Sequence, residues 1–306
     1  MRLLTDEQNL PQADPFIFED AGKLYIYITG LPGVRLYSAD DLFGMWHYEG
    51  IVATVEGAKE FWAPSVIKYG DTYYMYVSFT VEGEFDEYMH VFTASKPEGP
   101  FTVRKMLYNE FSIDSHVVET SEGLFLWYAK NGREGDRIGT RVYVDKLIDP
   151  LTPEGKPVEK IVPTFDEEIF TPQYTDDCRW HTIEGPFWFK EGDWQYVMYS
   201  GGCYMDDTYH IGYSCAKSNE EDLTCVEFIK NTKDGGFAPV IIKNEFEEGT
   251  GHHSVIKYKG EYYAVYHGRD YEENPSVASE NRRNMRVCKL FVKDGVITAE
   301  RYPDKV

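Results

Sequence analysis

The chain has 306 residues, enough for a sizeable core, and its 31 Lys+Arg against 52 Asp+Glu give a formal net charge of −21. Such a surface repels nucleic acid and anionic membranes, and no run approaches the ~20 apolar residues of a membrane helix. A neutral partner suits this charge better than a phosphorylated one.

The 24 Tyr, 18 Phe and 6 Trp suit pleated sheets and offer flat platforms for sugars. Most of them must be core. The five cysteines, Cys178, Cys203, Cys215, Cys225 and Cys288, form no CxxC and no metal-finger spacing. An odd, unclustered set reads as free thiols in a reducing compartment. The opening MRLLTDEQNLPQADPF lacks the apolar stretch of a signal peptide, so a soluble, cytoplasmic protein is expected. The oligomeric state is left open, a homo-oligomer included.

In chain order, five segments share one plan of anchor, strand-like run, turn and aromatic run. They are DPFIFEDAGKLYIYITG from Asp14, WAPSVIKYGDTYYMYVSF from Trp62, DSHVVETSEGLFLWYAK from Asp114, EGPFWFKEGDWQYVMYS from Glu184 and HHSVIKYKGEYYAVYHG from His252. Four anchors precede a turn glycine (Gly22, Gly70, Gly192, Gly260) by eight residues; Asp114 precedes Gly123 by nine, which reads as a one-residue slip.

Further strands are predicted at Val34–Ser38, His90–Ala94, Gly139–Val144, His210–Cys215 and Met285–Val292. Anchor steps of 48, 52, 70 and 68 residues fit four-stranded blades. The proline-rich stretch Asp145–His181 reads as an excursion within the third unit, and Asp270–Asn281 as a polar loop in the last. The expected fold is all-β: a five-bladed β-propeller forming a single domain over residues 1–306, with no C-terminal β-sandwich.

In a propeller the innermost strands line one central channel, so equivalent positions form a ring. That would gather Asp14, Asp114 and Glu184 around one mouth. Carboxylates so placed shift each other's pKa, and glycoside hydrolysis needs one protonated and one ionised member. Taken singly, Asp14-Pro15 and Glu184-Gly185-Pro186 are ordinary turn signals; their shared phase favours the catalytic reading. Adjacent strand residues face opposite ways. His252 is thus the inward histidine, suited to a metal or to filling space, and His253 is structural.

These residues resemble the five-bladed propellers of glycoside hydrolase family 43, over nearly the whole chain. Ala13-Asp14-Pro15 resembles the motif of the general base. Trp62-Ala63-Pro64 resembles the second-blade sugar motif, and Ile113-Asp114 the aspartate that raises the acid's pKa and orients it. Glu184-Gly185-Pro186 resembles the general-acid motif. Gly249-Thr250-Gly251-His252 resembles the last-blade motif whose histidine often coordinates a central calcium or a water. Arg283-Asn284-Met285 resembles the segment whose arginine reaches the substrate.

Leu31-Pro32-Gly33-Val34 with Tyr37-Ser38 and Asp41-Leu42 resembles the β-xylosidases and α-L-arabinofuranosidases of that family. The resemblance implies an inverting hydrolase that removes xylose or arabinofuranose from plant cell-wall oligosaccharides. An arabinanase or galactanase of the same fold is the alternative, and a non-catalytic sugar-binding propeller a further one. Phe61, Phe79 and Ile113 are expected in the pocket wall, and Cys203 beside the sugar. A fructosidase-like enzyme is disfavoured because Asn-Asp-Pro and Arg-Asp-Pro do not occur. A phosphorylase would need a basic phosphate pocket.

Overall fold

The computed structural model describes residues 10–81, 83, 86–170, 179–271 and 283–301. Five antiparallel sheets follow one another in chain order. The first holds Phe16–Asp20, Lys23–Ile28, Val34–Ala39 and His47–Ala53. The second holds Ala58–Tyr69, Thr72–Val81, Tyr88–Ala94 and Thr102–Met106. The third holds Ile113–Thr120, Gly123–Gly132 and Gly139–Asp149, with Thr152–Pro153 and Val158–Ile161 both paired to the last of these. The fourth runs from Ile183–Glu191 through Trp194–Gly201 and His210–Lys217 to Ile229–Lys230. The fifth runs from Glu247–Tyr258 through Glu261–Asp270 and Asn284–Lys293 to Val296–Glu300. This is a five-bladed β-propeller, as expected.

The second strand of each blade lies between neighbouring strands and neighbouring blades. It therefore reads as a nearly unbroken apolar run: Lys23–Ile28 is buried from Leu24 on, and Trp194–Gly201 from Gln195 on. The edge strand Thr102–Met106 is exposed throughout. Five apolar clusters fill the five blade interfaces, one centred on each adjacent pair. Asp145 to Ile161 proves to be blade material, so the third-blade excursion is shorter than the sequence suggested. Most of the polar loop 270–281 lies outside the described residues.

Every blade opens with a hairpin closed by a two-residue turn. The closing pairs are Asp20↔Lys23, Tyr69↔Thr72, Thr120↔Gly123, Glu191↔Trp194 and Tyr258↔Glu261. The third blade has no slip; its glycine merely follows the turn instead of sitting in it. Counted back from these pairs, the equivalent residues are Asp14, Ala63, Asp114, Gly185 and His252, each six positions earlier. Trp62 and Glu184 thus stand one residue before the common position, a correction to the phase read from the sequence.

All five equivalent residues have left-handed backbone, with φ of 55°, 45°, 61°, 58° and 42° in chain order. In blades two to five the pairing register breaks here, between Trp62 and Ser65, Ile113 and His116, Glu184 and Phe187, and Gly251 and His253. Each break is a β-bulge, which inserts an extra residue and re-aims side chains. Four of the five are non-glycine residues in a strained region, at a cost of about 1–2 kcal/mol each. Without the bulge, successive side chains would point to opposite faces. With it, Ile113 and Asp114 reach the same mouth.

Candidate active site

A bulged residue turns its amide out of its own ladder. In four blades a side chain from elsewhere in the ring receives it. Asp14 N–H donates to His267 Nδ1 (3.1 Å), Ala63 N–H to Thr29 Oγ1 (2.8 Å), Gly185 N–H to Asp114 Oδ2 (3.0 Å) and His252 N–H to Ser200 Oγ (2.7 Å). The ring is thereby held by the same side chains that surround the chemistry.

Asp14 is buried at the junction of the first and last blades. Thr29 Oγ1 donates to its Oδ2 at 2.5 Å and Arg283 Nη1 to its Oδ1 at 3.3 Å; His252 Nδ1 lies 3.5 Å from Oδ1. Burial alone would raise this carboxyl, but His252, the Arg283 guanidinium and His267 outweigh it and hold Asp14 well below the usual carboxylate range. Burial in turn lowers His252 and pushes His267 down to about 3, and the Arg283 guanidinium is the neighbour that stays charged. Asp14 is a carboxylate at any ordinary pH.

Glu184 is set the other way. Burial raises it to about 7, opposed by the Tyr209 hydroxyl, which donates to Oε1 at 2.5 Å, and reinforced by the charge of Asp14. Asp114 is pushed up by burial and by Glu184 and Asp14. Glu184 and Asp114 therefore titrate together, and ionising one holds the proton on the other. One mouth thus contains a fixed carboxylate and a carboxyl pair that retains a proton near neutrality.

Among the described residues, one group offers metal-binding side chains in proximity: ligand atoms of Asp114, Glu184 and His252 lie within 4.8 Å of one another. Calcium takes six to eight oxygen ligands, water among them. The group supplies two carboxylates and a nitrogen, and Gly185 and Tyr209 already donate to the carboxylates. A dication here would also strip the proton from Glu184. The space below, walled by Asp14, Asp114, Gly185, His252 and His253, measures about 10 Å³, room for about one water. The calcium expected at His252 would complete its shell with water. Prolonged chelation tests it: a fall in kcat or melting temperature that calcium reverses would establish the ion, and no change in either would argue against it.

A cavity of about 350 Å³ opens above the ring, within the range of small-ligand sites. Asp14, Trp62, Ile113, Asp114, Glu184, His252 and Arg283 all line it, so the structure brings seven of the ten anticipated residues together. The other three stand elsewhere. Phe61 and Phe79 are buried in the blade-two core, 5.0 Å apart ring to ring, with Phe79 stacked on His90 at 4.0 Å. As Trp62 precedes the bulge and reaches the mouth, its neighbour Phe61 turns inward. Cys203 is buried with its amide on the Thr208 hydroxyl, and burial raises its thiol to about 11. It does not line the cavity.

Sequence reasoning missed Thr29, Tyr204, Tyr209 and His267. Tyr204 lines the cavity, and Arg283 lies 4.9 Å over its ring. Thr29 and His267 carried a legible signal. The second aromatic run ends in a lone polar residue in four repeats, at Thr29, Ser78, Ser200 and His267. Three of these four receive ring amides. Tyr209 had no such signal, since it lies in a connection between strands.

A propeller whose mouth sets a fixed carboxylate among protonated carboxyls has the equipment of a glycoside hydrolase. The sequence profile of glycosyl hydrolases family 43 matches residues 9–297, and the chain belongs to that family. Among its relatives is the extracellular exo-alpha-(1->5)-L-arabinofuranosidase ArbA of Cellvibrio japonicus, 25% identical over 85% of this chain and 80% of the relative. A xylosidase/arabinosidase of Bacteroides ovatus is 25% identical over 94% of each chain. The crystal structure of a thermostable family-43 glycoside hydrolase superposes with a TM-score of 0.81, at 26% identity, over 96% of this chain and 95% of that one.

Proposed function

We infer that this glycoside hydrolase removes xylose or arabinofuranose from cell-wall oligosaccharides by single displacement with inversion. The reading is carried by two carboxyls that line one cavity in opposed surroundings, Asp14 against Arg283 and Thr29 and Glu184 raised by burial to about 7. Asp14 takes a proton from water as it attacks the anomeric carbon. Glu184 gives its proton to the departing glycosidic oxygen. Asp114, coupled to Glu184, holds that proton in place until the sugar arrives.

Pentose specificity draws support from the modest cavity, the Trp62 and Tyr204 rings in its wall, and the names of the two relatives. Among the described residues Arg283 meets Asp14 through Nη1, which leaves Nη2 for a neutral hydroxyl.

The test is release of 4-nitrophenol from its β-xyloside, α-L-arabinofuranoside and β-galactoside, with NMR of the first-formed anomer. Release from either pentoside with inverted product is expected. Retained configuration would overturn the mechanism, and silence on all three would shift the substrate to polymeric arabinan or galactan.

A further inference from the structure

The mechanism above uses Glu184 without asking which of its two oxygens bears the proton. Tyr209 bears on that question. It is buried, and its hydroxyl donates to Glu184 Oε1 at 2.5 Å. Its ring lies parallel to that of His267, with centroids 5.6 Å apart and planes 14° apart. His267 in turn receives the Asp14 amide. Gly251 is what admits the tyrosine ring, because a Cβ there would stand 1.9 Å from Cε1. The hydroxyl is therefore fixed in place from both sides of its ring.

We propose that Tyr209 is a positioning residue that reserves Glu184 Oε1 as an acceptor and so confines the acid proton to Oε2. In the protonated acid one oxygen carries hydrogen and the other only accepts. Occupying Oε1 with a donor selects the form with hydrogen on Oε2. As the glycosidic bond breaks, its electron pair passes to the departing oxygen. The Oε2–H bond breaks toward that oxygen, and Oε2 keeps its own pair. Tyr209 retains its proton throughout. Its bond to Oε1 strengthens as the carboxylate forms, so it stabilises the transition state more than the ground state.

This inference rests on Glu184 being the general acid, and the experiment separates the two claims. Tyr209→Phe keeps the ring against Gly251 and His267 and removes only the donor. Turnover of an unactivated disaccharide should fall about 10- to 100-fold. Turnover of the 4-nitrophenyl glycoside should fall less than about twofold, and KM should hold for both. In a Glu184→Gln background the same substitution should do nothing more. Should Tyr209→Phe fail to fold, 3,5-difluorotyrosine encoded at position 209 keeps the shape with a stronger donor and should speed the disaccharide selectively. Equal losses on both substrates, a change in KM alone, or additive losses in the double variant would overturn the role of Tyr209. Absence of a leaving-group effect in Glu184→Gln itself would remove the acid, and this inference with it.

Discussion

Asp14→Asn should lower kcat by about 10²- to 10⁴-fold, whatever the leaving group. An amide cannot take the proton from the attacking water, and the loss is the same however easily the aglycone departs. The variant should still fold. Thr29 can donate to the asparagine carbonyl as it does to Oδ2, and the backbone bond to His267 is untouched. Melting curves should confirm this, so the kinetic loss is attributable to chemistry. Near-normal turnover of both aryl and alkyl glycosides would remove Asp14 as the base.

Glu184→Gln should divide substrates by leaving group. Loss on oligosaccharides should reach about 10²- to 10⁴-fold, while 4-nitrophenyl glycosides, which depart with little help, should lose far less. The wild-type kcat/KM should fall as pH rises through about 7, where Glu184 gives up its proton, and the variant should lack this alkaline limb. Asp14, held far lower, adds no acidic limb in the ordinary range.

The same titration makes a claim about stability. The folded pKa lies above the 4.5 of an unperturbed glutamate, so folding favours the protonated form. The associated stability is present below about 4.5 and lost as pH rises through about 7. Glutamine cannot titrate. The variant should therefore melt higher than wild type at pH 8 but not at pH 4, by at most about 3 kcal/mol. Equal melting differences at both pH values would mean that burial does not raise Glu184.

The fold was legible because a propeller repeats a local signal. Five hairpins with five tight turns left five copies of one pattern, and the third strand of every blade could be marked from its apolar run. The phase was harder to read. Glycine falls at different places about the turn in different blades, so counting from glycine put Trp62 and Glu184 on the common position that Ala63 and Gly185 occupy. The three carboxylates still converge, because a bulge brings the residue before the ring to the same mouth. Burial of Phe61 follows from alternation once Trp62 is placed at the mouth, because its neighbour on the strand must then turn inward. Tyr209 approaches from a connection, where periodicity says nothing.

The ring of left-handed residues draws on every blade. Asp14 comes from the first, Trp62 from the second, Asp114 from the third, Glu184 and Tyr209 from the fourth, and His252, His267 and Arg283 from the fifth or its border. Among the described residues no strand is exchanged between the first blade and the last. Their seam is joined instead by Gln12 to Arg283 and Met285, by Ser254 to Pro15 and Ile17, and by His267 to Asp14. The activity has no partial version. A fragment of two or three blades would retain sheets and turns yet hold neither a complete acid–base set nor the side chains that fix it, so catalysis is as all-or-none as the closing of the circle.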